Sequence, residues 1–178
     1  DSRHPSVIDG LTKYEINYIN DISGFTDRRM IEIAKDSGLN CIVMHMRGTP
    51  ENMQSMTTYD DVIYEVSAFL ADRTEALLKN DVSFDRIILD PGIGFAKDIK
   101  GNVEILRNIK SFNIGFPLLV GTSRKSFIGM ITGQKVENRL AGTIGTSIYL
   151  AENRVSILRV HDVKENRDAL TTYLVLAS

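Results

Sequence analysis

Leu118-Leu119-Val120-Gly121-Thr122-Ser123-Arg124-Lys125-Ser126-Phe127-Ile128-Gly129 is the stretch on which the reading of this chain turns. An apolar, strand-like run changes abruptly into small hydroxyl residues and two adjacent cations. A buried strand ending in this way delivers donors to one region, as barrels and open parallel sheets do when they build a site for an anion or an acceptor-rich ring. Taken alone, the same residues also describe a solvated polar loop, so the neighbouring segments must decide.

Working outward, apolar runs rich in β-branched residues recur at residues 14–19, 40–44, 86–89, 117–120 and 155–158. They lack strict alternation, which suits parallel strands covered on both faces. Amphipathic segments lie between them. Thr26-Asp27 opens one helix that Gly38 is placed to stop. Thr58-Tyr59-Asp60-Asp61 reads as the cap of a longer one, with Glu75 and Lys79 as an i,i+4 pair on its outer face. Helices are further expected over residues 137–152 and 164–176, the first carrying the small residues Gly142 and Gly145. Repeated strand–helix units mean an α/β fold, with polar residues gathered at the carboxyl ends of the strands.

Composition narrows the function classes. The 178 residues are 43% hydrophobic and 25% charged, with a formal net charge of −2, so nothing favours nucleic acid and any anion site must be local. The single cysteine, Cys41, sits in an apolar run and reads as a core residue. No stretch approaches the roughly 18 apolar residues of a membrane span. HExxH, GxSxG and Walker A patterns are lacking, which lowers zinc, serine-hydrolase and P-loop chemistries. Gly92-Ile93-Gly94-Phe95 lacks the third glycine of a dinucleotide fingerprint.

The strand ends form a chemically coherent set. Asn20 offers an acceptor and two donors, Asp90 two acceptors and Lys125 a mobile cation, a combination suited to a flat heterocycle with amide and amino groups. Arg159 and His161, two apart, share a face and suit a phosphate or diphosphate. Each has a plainer reading: Asn20 as a turn former, Asp90 as the cap of its own Asp-Pro-Gly turn, Arg159 and His161 as partners of Asp162, and His45 as a packed histidine.

Together, Ile19-Asn20-Asp21-Ile22-Ser23-Gly24, Met44-His45-Met46-Arg47-Gly48-Thr49-Pro50, Leu89-Asp90-Pro91-Gly92-Ile93-Gly94-Phe95, the Ser123-Arg124-Lys125-Ser126 loop and Arg159-Val160-His161-Asp162-Val163 resemble dihydropteroate synthase from end to end. That resemblance implies a TIM (β/α)8 barrel of which about the last five units are in this chain, forming a single pterin-binding domain over residues 1–178. It implies a transferase of folate biosynthesis that joins 6-hydroxymethyl-7,8-dihydropterin diphosphate to 4-aminobenzoate, giving 7,8-dihydropteroate and diphosphate. Pterin would be held by Asp1, Asn20, Met44, Asp90, Phe95 and Lys125, the aminobenzoate (where sulfonamides compete) by Ser123, and the diphosphate by Arg159 and His161. Mg²⁺ is the expected cofactor, its ligand expected in an N-terminal part preceding Asp1. A homodimer, a cytoplasmic location and low activity of these residues alone are also implied. Arg47 and Ile93 stand where the family commonly has Gln and Phe. The competing readings are a methyltetrahydrofolate-type pterin-binding methyltransferase and a non-catalytic truncated partner of a complete synthase.

Overall fold

Short aliphatic runs become strands here, β2, β3 and β4 being almost wholly buried and β5 partly so, and α2, α3 and α4 between them bury an apolar stripe each. The computed structural model describes residues 1–177. Among these, five parallel strands alternate with seven α-helices. The strands are β1 (Tyr18–Asp21), β2 (Asn40–Met44), β3 (Ile87–Asp90), β4 (Leu119–Val120) and β5 (Ile157–Leu158). The helices are α1 (Pro5–Leu11), α2 (Arg28–Ser37), α3 (Val62–Lys79), α4 (Ile99–Arg107), α5 (Ser126–Thr132), α6 (Leu140–Glu152) and α7 (Val163–Ala177).

The strands pair as β1-β2-β3 and as β4-β5, and a single bridge from Leu89 to Leu118 joins the two groups. Registers of Asp21 with Val43 and of Met44 with Asp90 bring the carboxyl ends of the first three strands to one level. Backbone bonds carry this past the strands: His45 N–H donates to Asp90 O at 3.0 Å and Arg159 N–H to Val120 O at 3.1 Å. Polar residues that follow each strand are thereby gathered at one edge.

Helix ends follow their caps. Asp27 accepts from Arg29 N–H, Asp61 from Tyr64 N–H and Asp98 from Gly101 N–H, each bond contributing about 1 kcal/mol. The cap of α3 is therefore Asp61, not Thr58, and Tyr59 lies before the helix, where its hydroxyl donates to Ala96 O. Glu65 completes the box in reverse, its carboxylate accepting from Asp60 and Asp61 N–H. The segment expected as a helix from residue 137 starts as a short 3-10 turn at Val136–Asn138, and the α-helix begins only at Leu140.

The first strand starts at Tyr18 because residues 14–16 are spent in a turn, with Tyr14 N–H bonded to Leu11 O and Ile16 N–H to Tyr14 O. The core lies between the strands and the helices and includes Ile19, Cys41, Val43, Ile87 and Leu89 from the strands and Met30, Val66, Leu70 and Leu77 from the helices. Pleating sends Ile42, Ile88 and Leu119 to the opposite face, where they form a second small apolar cluster with Ile157.

Candidate functional site

At the end of β1 the two polar neighbours divide their work. Asp21 is fully buried and its carboxylate is consumed by the following turn, accepting from Ser23 N–H, Ser23 Oγ and Phe25 N–H at 2.7–2.9 Å. Asn20, 8% exposed, keeps its side-chain oxygen without a partner. A buried acceptor left so costs about 1–3 kcal/mol, which makes it a natural place for a ligand donor to bind.

At the end of β3, Asp90 is 4% exposed and one carboxylate oxygen accepts from Gly92 N–H at 2.8 Å. Asp90 thus caps its own turn and also lines a cavity. Gly92 is required there: its φ is +69°, and a Cβ would lie 2.0 Å from His45 O. Burial raises the Asp90 carboxyl above the ordinary aspartate range, opposed by Lys125, by the Gly92 N–H, by Lys97 and by Arg159.

The loop after β4 does not act as one donor cluster. Arg124 has a φ of +57° and turns toward Asp162, donating from Nε at 3.0 Å and from its other fork nitrogen. Its backbone is held by Thr143 Oγ1 and by the Arg139 guanidinium. Lys125 goes the other way, its ammonium donating to Ile93 O and standing 5.0 Å from the centre of the Phe95 ring. Burial lowers this ammonium to about 8 against the pull of Asp90. Ser123 is buried; its Oγ accepts from His161 N–H at 3.2 Å and lies 2.8 Å from His161 Nδ1. With the hydroxyl proton directed at Nδ1, the imidazole proton sits on Nε2, a donor for an anion.

Arg159 does not pair with Asp162, which Arg124 has taken. It reaches Asp1 instead, at 2.8 Å. Both Arg159 and His161 are exposed.

Met44, Asp90, Phe95, Ser123, Lys125, Arg159 and His161 meet around one cavity of about 280 Å³. Asn20 and Asp1 are not part of that lining. His45 packs edge-on against Phe69, and burial and the neighbouring Lys97 cation push its imidazole down to about 2. Sequence reasoning missed Lys97, which is 3% exposed and donates to His45 Nδ1 and to two backbone carbonyls. Among the described residues no group of three or more His, Cys, Asp or Glu side chains gathers as a metal site. A Mg²⁺ ion, which takes one or two carboxylates together with substrate phosphates and waters, would not need such a cluster. No helix among the described residues is long and apolar enough to cross a membrane.

The sequence profile of pterin binding enzymes matches residues 1–161. This chain belongs to the pterin binding enzyme family. Among curated relatives, the bifunctional dihydropteroate synthase/dihydropteroate reductase of Helicobacter pylori is 37% identical over 174 residues, covering 97% of this chain and 45% of that protein. The dihydropteroate synthase of Escherichia coli is 35% identical over 171 residues, covering 96% and 61%. This pterin binding chain thus spans about half to three fifths of the length of these relatives. Crystal structures of the dihydropteroate synthase of Thermus thermophilus, one in complex with 6HMPPP and one with 4-aminobenzoate, superpose with TM-scores of 0.95 at 35% identity. They cover 100% and 99% of this chain, and 71% and 69% of the solved chains.

Proposed function

We propose that this chain carries the pterin and diphosphate sites of a dihydropteroate synthase, an enzyme of folate biosynthesis. The reaction would displace diphosphate from 6-hydroxymethyl-7,8-dihydropterin diphosphate by the amine of 4-aminobenzoate. The observation that carries this reading is the meeting of Asp90 and Lys125 with Arg159 and His161 around one cavity in a chain of this family. A carboxylate beside an ammonium suits the amide and amino edge of a pterin, and a guanidinium beside an imidazole suits a diphosphate.

Asn20 and Asp90 hold the ring edge, Met44 and Phe95 flank the ring, and Lys125 meets its carbonyl or ring nitrogen. Asp1, which accepts from Arg159, would be a further pterin contact. As the C–O bond to diphosphate breaks, the electron pair leaves with the diphosphate, and Arg159 and His161 stabilise it. The positive charge left on the pterin methylene side is stabilised by the carboxylate of Asp90. The arylamine nitrogen then bonds to that carbon, with Ser123 at the aminobenzoate side, and its proton passes to the departing diphosphate or to water, so no strong base is needed. Arg159 and His161 meet the diphosphate charge from this chain, and a bound Mg²⁺ would neutralise a further part of it.

The five parallel strands are read as an arc of a (β/α)8 barrel, its inner face marked by Ile42, Ile88, Leu119 and Ile157. A homodimer is assigned to the helical side, where Phe127, Ile131, Gly142 and Tyr149 line an apolar groove. The location is taken as cytoplasmic. The methyltransferase reading leaves Arg159 and His161 without a ligand. Competition separates the two: inorganic diphosphate should weaken binding of the dihydropterin diphosphate to this chain, and binding indifferent to diphosphate would reject the synthase reading. Turnover by residues 1–178 alone should be far below that of a complete synthase; comparable rates would show that these residues suffice.

A further inference from the structure

Lys97 stands in the loop between β3 and α4, outside the lining of the cavity yet almost wholly buried. Its ammonium donates to Gly92 O at 3.0 Å, to Phe95 O at 2.9 Å and to His45 Nδ1 at 2.9 Å. A lysine has three donors and no acceptor, so these bonds use its full capacity. None of the three partners carries a charge. A buried ammonium without a carboxylate in contact is a costly arrangement that a methionine of similar length would avoid.

Two consequences of the arrangement explain why a cation belongs there. The first is mechanical. Gly92 and Phe95 are the two ends of one turn, closed also by Phe95 N–H to Gly92 O. The same turn is tied to α4 by Gly94 N–H to Asn102 Oδ1 at 2.6 Å. Holding both carbonyls sets the Phe95 ring against the cavity and sets the Gly92 N–H that Asp90 accepts.

The second consequence is electrostatic. The strongest attraction felt by Lys97 comes from Asp90. Asp90 is also faced by Lys125 from the loop after β4 and by Arg159 after β5. Lys97 in turn is faced by Lys125 and by Arg47 after β2, and it touches a neutral His45.

We propose that Lys97 is a positioning residue for pterin recognition, closing the turn over residues 92–95 and supplying charge behind Asp90 so that Asp90 meets its ligand as a carboxylate. This inference deepens the pterin-site reading and depends on it for the identity of the ligand. The charge coupling itself does not depend on it. Burial drives Asp90 toward its protonated form, and a protonated carboxyl accepts fewer bonds from the N–H edge of a pterin. Lys97 acts against that protonation without touching the ligand. Burial brings the Lys97 ammonium down to about 7, so its help is greatest on the acid side of neutrality, where Asp90 most needs it.

The test is the Asp90 titration in Lys97→Met, followed by ¹³C NMR of carboxyl-labelled aspartate, with Asp90→Asn identifying the resonance. Asp90 should titrate at a pH higher by about one unit or more in the variant. The affinity for 6-hydroxymethylpterin, measured by calorimetry, should fall on acidification at a correspondingly higher pH than in the wild type. An Asp90 titration left in place, with affinity reduced by the same factor at every pH, would reduce Lys97 to a packing role and overturn the proposal. Circular dichroism checks that the variant is folded. If it is not, the reciprocal measurement decides: ¹⁵N NMR of the Lys97 ammonium should show a lower titration in Asp90→Asn than in the wild type, and an unchanged one rejects the coupling. A shifted Asp90 titration without pterin binding by the wild type would reject the ligand and keep the coupling, so the two failures are separable.

Discussion

The cavity has two ends that are built differently. One end rests on β2 and β3, strands of five and four residues in a continuous ladder with β1, and its lining residues Met44 and Asp90 are buried, as are Asn20 and Lys97 outside the lining. The other end follows β4 and β5, two residues each, and presents Arg159 and His161 exposed to water. The first can discriminate by hydrogen bonds, because an unmet polar group there is costly. The second works by charge in high dielectric, where each contact is weaker and screened by salt. A rigid, dry end that recognises a ring and a wet end that receives a leaving diphosphate is a sensible division, since a leaving group must also depart.

That contrast can be broken first at the dry end. Gly92→Ala places a Cβ against His45 O and forces an unfavourable φ, so it should destabilise the fold by about 3 kcal/mol or more, read from denaturant unfolding. The next effect is on binding. Asp90→Asn removes charge-assisted bonds of about 1.5–3 kcal/mol and should weaken 6-hydroxymethylpterin roughly 10- to 150-fold by calorimetry.

A pH effect comes third. His45 is neutral when folded, held down to about 2, whereas the unfolded chain's histidine takes a proton below about 6.5. Between those values the unfolded state binds more protons, so this group removes stability as pH falls from about 6.5. His45→Gln, which keeps an acceptor for Lys97, should flatten that part of the acid limb in urea midpoints measured against pH.

The smallest effect belongs to the wet end. Arg159→Ala should weaken diphosphate about tenfold at low salt and progressively less as ionic strength rises, while leaving pterin affinity within a factor of about three. Equal loss for both ligands would merge the two ends into one.

Sequence legibility follows the same divide. At Asn20 and Asp90 the sequence left a turn and a site both open, and the structure shows both uses at Asp90, which caps Gly92 N–H and lines the cavity, while the Asn20 oxygen is buried without a partner. Ser123-Arg124-Lys125 read as one cluster of donors, whereas the structure divides it, Ser123 and Lys125 lining the cavity and Arg124 turning to Asp162. Whether Arg124 or Lys125 enters the cavity depends on a left-handed φ at Arg124 and on Asp162, distant in sequence, waiting for its guanidinium. Lys97, between Ala96 and Asp98, carries no signal in the sequence that sets it apart from other lysines. Its burial comes from two carbonyls and an imidazole that only the folded turn collects. The start of β1 was misplaced for a related reason, since Tyr14 and Ile16 have strand-forming side chains but spend their backbone in a turn. The family and its fold were carried by local motifs, and what was lost is the direction each side chain takes after its strand ends.

The central claim is that the dry end of the cavity recognises a pterin through the Asp90 carboxylate. Calorimetric titration of the wild-type chain and of Asp90→Asn with 6-hydroxymethylpterin tests it most directly. Saturable binding that Asp90→Asn weakens at least tenfold is the expected result. Equal affinity of the two proteins, both folded, would contradict it.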